Sequence, residues 1–227
     1  MNIVEAKGVE KVYQQGKVEV RALQGIDLSV EKGGFVALAG PSGSGKTTML
    51  NIIGGLDSMD KGTVTVENNR LETMSQSGLA ELRLNRIGFV FQAYNLIPVL
   101  SAEENVEFVM LLQGVSRTER REKTHAILED VGLGGMFKRR PSELSGGQQQ
   151  RVAVARAIVS DPAIVLADEP TANLDSRTGN SLLEMMREMN EKRGATFIFS
   201  THDNMVMEYA RRLVRMQDGR IVGEEDH

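Results

Sequence analysis

The sequence predicts an α/β fold with a parallel sheet at its centre. Three nearly continuous apolar runs support this prediction: FVALAG (35–40), AIVLAD (163–168) and TFIFSTH (196–202). Apolar runs without polar alternation are typical of strands buried on both faces, as in parallel sheets. Helical patterns lie between the runs, and parallel strands need such crossover connections.

Alternating segments outside these runs predict additional strands. VEVRALQGIDLSV (18–30) is one, and GTVTVENNRL (62–71) reads as a strand that enters a turn at Asn68 and Asn69. LVRMQDGRIV (213–222) places Asp-Gly between two apolar halves, which is a strong hairpin pattern. We therefore expect an antiparallel layer on the parallel core.

Residues 101–159 have helical rather than strand character. Ser101 precedes acidic residues and an apolar stripe, a pattern that predicts a helix start, and a charged amphipathic segment follows. The chain has no internal repeat and no linker long enough to separate an independent domain. We predict one domain over 1–227, in which 101–159 is a helical sub-domain and 1–100 with 160–227 form the α/β core.

Composition and charge exclude several classes of protein. The net charge is -4, whereas a nucleic-acid-binding domain usually shows a basic surplus, so we expect no nucleic-acid partner. Cysteine is absent, which excludes disulfides and thiolate metal sites. The N-terminal residues lack a signal-peptide core, and the apolar runs are too short to cross a bilayer. If the protein works at a membrane, another chain is expected to hold it there.

The segment GPSGSGKTT (40–48) matches G-x-x-x-x-G-K-[ST] and stands between a predicted strand and a predicted helix. Glycines let the backbone approach phosphate, and a helix start presents free N–H groups. Lys46 is placed to reach the phosphates and Thr47 to ligate magnesium; a glycine-rich turn with a chance lysine is the disfavoured alternative. The predicted phosphate-binding residues are Gly40, Ser42, Gly43, Ser44, Gly45, Lys46, Thr47 and Thr48.

Two adjacent carboxylates, Asp168 and Glu169, follow the run AIVLA. Like charges repel, so this pair is costly unless a cation or a water network uses it. Asp168 is placed to hold Mg²⁺, while Glu169 faces an attacking water. A strand that merely ends in acidic residues is the alternative, and the phosphate loop earlier in the chain favours the functional interpretation.

Gln92 and His202 each follow an apolar run, where parallel strands present ligand-binding residues. Structural roles at strand ends are the alternative for both. A second glycine-rich helix start, LSGGQQQR (144–151), lacks a lysine and so can touch phosphate without retaining a nucleotide alone. The residues alone leave open whose phosphate it meets.

The order and spacing of these motifs resemble those of ABC-type ATPases. The phosphate loop, Gln92, LSGGQQQR, AIVLADE, TANLD (171–175) and His202 follow the family's order over essentially the whole chain. LSGGQ is highly specific. The resemblance implies a RecA-like P-loop NTPase core with an antiparallel β layer, and an Mg²⁺-dependent ATPase activity.

The resemblance also implies roles for single residues in ATP binding and hydrolysis. Glu169 is the implied general base, and His202 contacts the γ-phosphate and the attacking water. Gln92 senses that water and the metal, beside Thr47 and Asp168. Tyr13 stacks on adenine, with a buried strand aromatic as the alternative.

A head-to-tail dimer of two copies is the implied assembly, with ATP between them. Ser145, Gly146, Gly147 and Gln148 then face the ATP held by the other copy, which answers whose phosphate LSGGQ meets. Asp175 organises contacts between the two subunits. Both assignments rest on the resemblance.

Two stretches, YQQGKVEVRAL (13–23) and FQAYNLIPVLSAEENV (91–106), resemble more narrowly the lipoprotein-releasing and macrolide-exporting group. This implies a peripheral protein on the cytoplasmic side of the cell membrane, with an integral membrane permease subunit docking near Gln92–Leu100. The apolar residues expected to line that groove, rather than a helix core, are Tyr94, Leu96, Ile97 and Leu100.

Two other functions stay open at this point. A regulatory ATPase that controls an extracytoplasmic enzyme or signal through a membrane partner, as in cell division, has the same catalytic residues. A soluble ABC ATPase that acts on ribosomes or DNA usually carries two ATPase units or long coiled-coil insertions, and this sequence has neither.

Overall fold

The computed structural model describes residues 1–16 and 18–227, so Lys17, within the GKVEV segment, lies outside the described residues. The strands are β1 (Asn2–Gln15), β2 (Val18–Glu31), β3 (Phe35–Ala39), β4 (Lys61–Val66), β5 (Asn69–Arg70), β6 (Ile87–Val90), β7 (Ile164–Asp168), β8 (Thr196–Thr201), β9 (Arg212–Gln217) and β10 (Arg220–Asp226). The α-helices are α1 (Lys46–Ile53), α2 (Gln76–Arg86), α3 (Ala102–Leu112), α4 (Arg117–Asp130), α5 (Gly146–Ile158), α6 (Ser176–Arg193) and α7 (Asn204–Tyr209). Single-turn 3₁₀ helices lie at Leu71–Thr73 and Pro141–Glu143.

Two sheets make up the β structure of the described residues. The larger has the strand order β10-β9-β3-β8-β7-β6, and its strands from β9 to β6 pair in parallel. The smaller, β2-β1-β4-β5, is antiparallel throughout. The predicted fold class, a parallel core with an antiparallel layer and helices, is therefore confirmed.

The large sheet is buried on both faces, as its continuous apolar runs predict. In β3, Phe35, Ala37 and Ala39 face one hydrophobic core, and Val36 and Leu38 face the other. The first core contains residues of α3, α4, α5 and α6, and the second contains residues of α1 and the antiparallel sheet. Two apolar faces explain why no polar alternation appears in these strands.

Helix starts follow the capping patterns in the sequence. Ser101 caps α3, and with Glu104 it forms the reciprocal capping box that the sequence predicts. The helices α3, α4 and α5 all fall within 101–159. They share one hydrophobic core with β3, β7 and β8. The division of the chain into core and helical sub-domain stays a prediction.

Three details of the sequence-based strand prediction need correction. The C-terminal hairpin forms at Asp218 and Gly219, but β9 pairs in parallel with β3, so the hairpin extends the core sheet rather than the antiparallel layer. The turn after β4 has its left-handed residues at Glu67 and Asn68, one position earlier than predicted. The sequence analysis also did not single out β1, whose strand pairs with β2 and β4.

Candidate functional site

The phosphate loop connects the buried strand β3 to α1, which begins at Lys46. Gly43 and Gly45 have φ angles of +80° and +100°, a region that favours glycine. A Cβ on Gly40 would lie 2.1 Å from the Met216 carbonyl oxygen, and one on Gly45 would lie 2.5 Å from the Ala22 carbonyl oxygen. Two of the three glycines are therefore required by neighbouring backbone, a reason that the sequence pattern does not contain.

Lys46 lies inside the loop and is 5% exposed. Its Nζ donates hydrogen bonds to the carbonyl oxygens of Gly40 at 2.7 Å and Pro41 at 2.9 Å. Burial lowers the pKa of Lys46, and the nearby charges of Glu169 and Asp168 oppose that change. The loop thus holds a cation at its centre.

The adjacent carboxylates at the end of β7 point to different partners. Thr47 Oγ1 donates to Asp168 Oδ1 at 2.9 Å, which ties the start of α1 to β7. Glu169 has a left-handed backbone with φ of +47°. Its Oε1 lies 2.7 Å from His202 Nδ1, and Thr201 Oγ1 donates to its Oε2 at 3.4 Å. The backbone turn at Glu169 separates the two side chains.

Gln92 and His202 both lie just after strands rather than within them. The strand β6 ends at Val90, two residues before Gln92, and β8 ends at Thr201. The Gln92 carbonyl oxygen accepts a hydrogen bond from Asn173 Nδ2 at 2.9 Å, so the segment is tied to the loop after the carboxylates. Gln92 is exposed, as is the His202 side chain.

A cavity of about 440 Å³ brings most of the predicted site residues together. Its lining residues are Tyr13, Val20, Arg21, Ala22, Ser42, Gly43, Gly45, Lys46, Thr47, Thr48, Gln92, Asp168, Glu169 and His202. Ser44 is buried beside it, and its Oγ has no hydrogen-bond partner among the described residues, as expected of a group that awaits a ligand. The cavity and this free hydroxyl fit a bound phosphate chain.

Sequence analysis missed the part of the lining that β2 supplies, Val20, Arg21 and Ala22. Strand alternation gives no indication that a strand of another sheet reaches the phosphate loop. A larger cavity of about 570 Å³ lies near Phe35 and Arg212, away from all the predicted site residues. Arg212 is paired there with Glu224 at 2.6 Å, and none of the motifs that carry chemistry reaches that cavity.

Tyr13 lies on β1 and is half-buried, so it is not a fully enclosed strand aromatic. Its hydroxyl donates to Asp57 Oδ2 at 2.5 Å, and Lys11 Nζ lies over its ring, 5.1 Å from the centroid. Burial raises the pKa of Tyr13, and the hydrogen bond to Asp57 raises it further. The Tyr13 ring therefore lines the cavity, and Asp57 holds its hydroxyl in place.

The LSGGQ residues do not line this cavity. Ser145 caps α5: its Oγ accepts from Gln148 N at 3.3 Å, and Gln148 Oε1 accepts from Ser145 N at 2.9 Å. A Cβ on Gly147 would lie 2.4 Å from Thr178 Cγ2. Within one chain, these residues form a helix start separate from the phosphate loop.

Asp175 also has a role inside the chain, as the cap of α6. Its carboxylate accepts hydrogen bonds from Thr178 N at 3.1 Å and Thr178 Oγ1 at 2.6 Å. Both bonds lower the pKa of Asp175, and the bond from the Thr178 hydroxyl has the larger effect. A role between subunits, which the resemblance implies, stays a prediction.

The geometry defines a class of protein. A phosphate loop between β3 and α1, with a carboxylate at the end of a parallel strand, is the architecture of P-loop nucleotide-binding proteins. Comparison with known families agrees, because the family described as ABC transporter matches residues 23–172. The chain therefore belongs to the ATP-binding subunits and domains of ABC transporters, as its motifs predict.

Individual relatives are similar along nearly the whole chain. An uncharacterised ABC transporter ATP-binding protein of Thermotoga maritima is 47% identical, over 98% of this chain and 95% of the relative. The macrolide export ATP-binding/permease protein MacB of Hyphomonas neptunium is 44% identical over 98% of this chain. This chain spans only 34% of that MacB protein's length.

A solved structure is similar in both fold and sequence. The ATP-binding cassette MJ0796 of Methanocaldococcus jannaschii, described as a dimeric post-hydrolysis state bound to ADP and Pi, superposes with a TM-score of 0.91. The two chains are 41% identical over 98% of each. Among the residues that our structure describes, no helix is both long and apolar enough to span a bilayer.

Proposed function

We propose that this chain binds and hydrolyses ATP as the motor subunit of a membrane transporter of the exporting or lipoprotein-releasing kind. The observation that carries the proposal is the opposite orientation of two adjacent carboxylates, with Asp168 on Thr47 and Glu169 on His202. Asp168 accepts a hydrogen bond from the Thr47 hydroxyl of the phosphate loop, and Glu169 is paired with the imidazole of His202. This division suits a reaction in which phosphate binding and water activation are separate tasks.

In the proposed reaction, water attacks the γ-phosphorus of ATP, and the bond to the bridging oxygen of ADP breaks. Glu169 accepts the proton of the water, and its contacts with Thr201 and His202 hold the carboxylate in place. Lys46 and the N–H groups at the start of α1 stabilise the phosphate charge. The products are ADP and inorganic phosphate.

The proposed magnesium ligands are Thr47, Gln92 and Asp168, together with phosphate oxygens of the nucleotide. Mg²⁺ typically binds in this way, through one or two carboxylates and the substrate phosphates. Bound there, the ion neutralises charge on the phosphates. Thr47 and Gln92 contribute neutral oxygens and Asp168 the only carboxylate of this set, so the proposed ion binds together with the nucleotide phosphates.

A second copy of the chain completes the proposed site. Ser145, Gly146 and Gly147 do not line the cavity of their own chain, yet they form an uncharged helix start suited to phosphate. The dimeric state described for MJ0796 supports a dimer of this chain as well. Each copy then supplies LSGGQ to the nucleotide of the other.

The proposed permease contact lies beside the segment after Gln92. A cavity of about 380 Å³ there is lined by Phe89, Phe91 and Asn95, with Val109 of α3 on another side. Neither Tyr94, Leu96, Ile97 nor Leu100, the residues expected from the sequence, lines this cavity. The MacB relatives, named as ATP-binding/permease proteins, support a permease as partner.

Exposed apolar side chains support the same contact. Leu111 and Leu112 on α3 are 49% and 59% exposed, and Val99 is 72% exposed. Leu111 and Leu112 are neighbours at the C-terminal end of α3, and adjacent exposed apolar side chains suit a surface that another protein covers. A coupling segment of a permease is the proposed occupant.

The variant Glu169→Gln tests this function. It removes the base and keeps the shape of the side chain, so we expect ATP hydrolysis to fall at least about a hundredfold, the lower range for losing a general base. We also expect ATP to trap a dimer, visible by size-exclusion chromatography. Glu184→Gln, the same change at an exposed position of α6, is the matched control. Near-normal turnover of Glu169→Gln, or a monomer in saturating ATP, would contradict the proposal.

A further inference from the structure

The Tyr13 side chain is fixed by residues outside the phosphate loop. Its hydroxyl donates to Asp57 Oδ2 at 2.5 Å, and Asp57 Oδ1 accepts from Lys11 Nζ at 2.8 Å. Lys11 Nζ also donates to the Ser58 carbonyl oxygen at 2.6 Å. One carboxylate therefore binds both the ring's hydroxyl and the cation over the ring.

Lys11 is unusual because it is a lysine with only 7% exposure. A buried ammonium is costly unless it is paired and hydrogen-bonded, and Asp57 and Ser58 provide both. The cation also attracts the face of the Tyr13 ring, 5.1 Å away. The buried Lys11 thus holds the Tyr13 ring from its face, while Asp57 holds the hydroxyl.

The Asp57 carboxylate belongs to the loop that follows α1, Gly54–Asp60. Asp57 N and Leu56 N both donate to the Asn51 carbonyl oxygen of α1, at 3.2 and 2.8 Å. From the other side, Val12 N of β1 donates to Asp60 Oδ2 at 2.6 Å. The loop therefore joins α1 to the strand that carries Tyr13.

This connection positions the ring relative to the phosphate loop. The phosphate loop leads into α1, and Asp57 lies in the loop that follows this eight-residue helix, so the contacts of Asp57 hold the Tyr13 ring in place beside the phosphate end of the cavity. A nucleotide contacts both only when the ring and the phosphate loop are correctly placed relative to each other. Rotation of the ring about its side-chain bonds would lose the stacking geometry.

We propose that Asp57 and Lys11 are positioning residues for the Tyr13 ring. By holding the ring, they determine how much the base of a nucleotide adds to the affinity that its phosphates already provide. The inference rests on the proposed nucleotide site. It concerns the contribution of the base alone, since neither residue lines the phosphate-binding part of the cavity. The ligand class is a purine nucleotide with its phosphates in the loop.

The experiment compares ADP with inorganic pyrophosphate by calorimetric titration in the presence of Mg²⁺. Both ligands carry a diphosphate group, and only ADP carries a base. Neither carries a γ-phosphate, so dimer closure does not contribute. The variants are Tyr13→Phe, which removes only the hydroxyl, and Asp57→Asn. Lys61→Met is the matched control, because Lys61 of β4 forms an exposed ion pair with Glu10 of β1, the strand that carries Tyr13, and does not touch the ring.

We expect Tyr13→Phe and Asp57→Asn to weaken ADP binding by roughly two- to tenfold, as for one lost hydrogen bond, with pyrophosphate binding unchanged. Tyr13→Ala removes the stacking surface, and we expect roughly a 5- to 150-fold loss for ADP alone. The control is expected to match the wild-type chain for both ligands. A merely structural role would weaken both ligands together.

Normal ADP affinity in either Tyr13→Phe or Asp57→Asn would overturn the inference, and so would an equal loss for ADP and pyrophosphate. Asp57→Asn leaves Lys11 without its counter-ion, so if that variant does not fold, Tyr13→Phe decides the matter. Failure of the nucleotide site itself gives a different result. In that case the wild-type chain binds neither ligand, or Tyr13→Ala binds ADP normally, and the inference falls with the site.

Discussion

Single residues of the LSGGQ segment serve their own chain as well as the proposed second copy. Gly147 leaves no room for a side chain, because its Cβ would lie 2.4 Å from Thr178 Cγ2. Thr178 in turn donates its hydroxyl to Asp175, the cap of α6. A substitution at Gly147 therefore disturbs the start of α6, whatever happens between subunits.

Pairing two substitutions separates these effects. Gly147→Ala alone is expected to lower the melting temperature, since Thr178 must move. Adding Thr178→Ser removes the obstructing methyl group and keeps the hydroxyl on Asp175, so we expect stability to return to that of Thr178→Ser. We also expect the double variant to regain ATP-dependent dimerisation, because the added methyl points at Thr178 of its own chain rather than at the nucleotide of the second copy.

The measurements are a thermal melt and size-exclusion chromatography with ATP, both in the Glu169→Gln background. Thr178→Ser alone is the control and is expected to dimerise. A double variant that regains its stability and still forms no ATP-bound dimer would contradict this account, because the loss would then not come from the contact with Thr178.

At the scale of elements, α5 supports the segment after Gln92. Tyr94 and Asn95 both have left-handed backbones, with φ of +59° and +50°. Arg156 of α5 donates to their two carbonyl oxygens, at 2.9 and 2.6 Å. Arg156 is half-buried, and this burial lowers the pKa of its guanidinium. One helix thus carries LSGGQ at its start and holds the proposed permease-side segment near its end.

Arg156→Lys tests the support of this strained segment. Lysine cannot reproduce the two-donor geometry, so we expect the free energy of unfolding to fall by roughly 1.5–3 kcal/mol, the range for a hydrogen bond to a charged group. Glycine adopts a left-handed backbone without steric cost, so Asn95→Gly is expected to restore part of the loss. Denaturant titration measures both, with the exposed Arg177→Lys as control. Equal stability of Arg156→Lys and the wild-type chain would refute this account.

At the scale of the whole molecule, several carboxylates are tied into the fold, and their pKa values are lowered. The hydrogen bond from Arg86 is the main cause for Glu67. Burial alone would raise the pKa of Asp57, but hydrogen bonds from Lys11 and Tyr13 outweigh it. For Glu104 the cause is the backbone N–H of Ser101. Groups with pKa values below those of the unfolded chain stabilise the fold above the unfolded pKa and lose that effect as the pH falls.

We therefore expect the melting temperature to drop as the pH falls below about 4.5, the ordinary value for a glutamate. Glu67→Gln makes the test specific. This variant is expected to be less stable than the wild-type chain at pH 7, because Arg86 loses its charged partner, and the difference is expected to shrink with acidification. A difference that does not change between neutral and acid pH would contradict the assignment to Glu67.

Much of the fold was predictable because its patterns are local. The core strands are continuous apolar runs, and Ser101 and Ser145 begin helices through contacts with residues three positions later. The position of the C-terminal hairpin was not predictable, since pairing of β9 with β3 joins residues far apart in sequence. The β2 residues beside the phosphate loop were missed for the same reason.

The sequence by itself determined the α/β class, the membership in the ABC transporter family and the positions of its motifs, because each is a short pattern with a fixed spacing. Only the tertiary structure decided how the groups meet. In the folded chain, Asp168 contacts Thr47 and Glu169 contacts His202. Asp57 accepts a hydrogen bond from the Tyr13 hydroxyl, and the LSGGQ residues lie outside the cavity of their own chain. Those contacts depend on strand order and on the packing of distant segments, which local residue patterns do not encode.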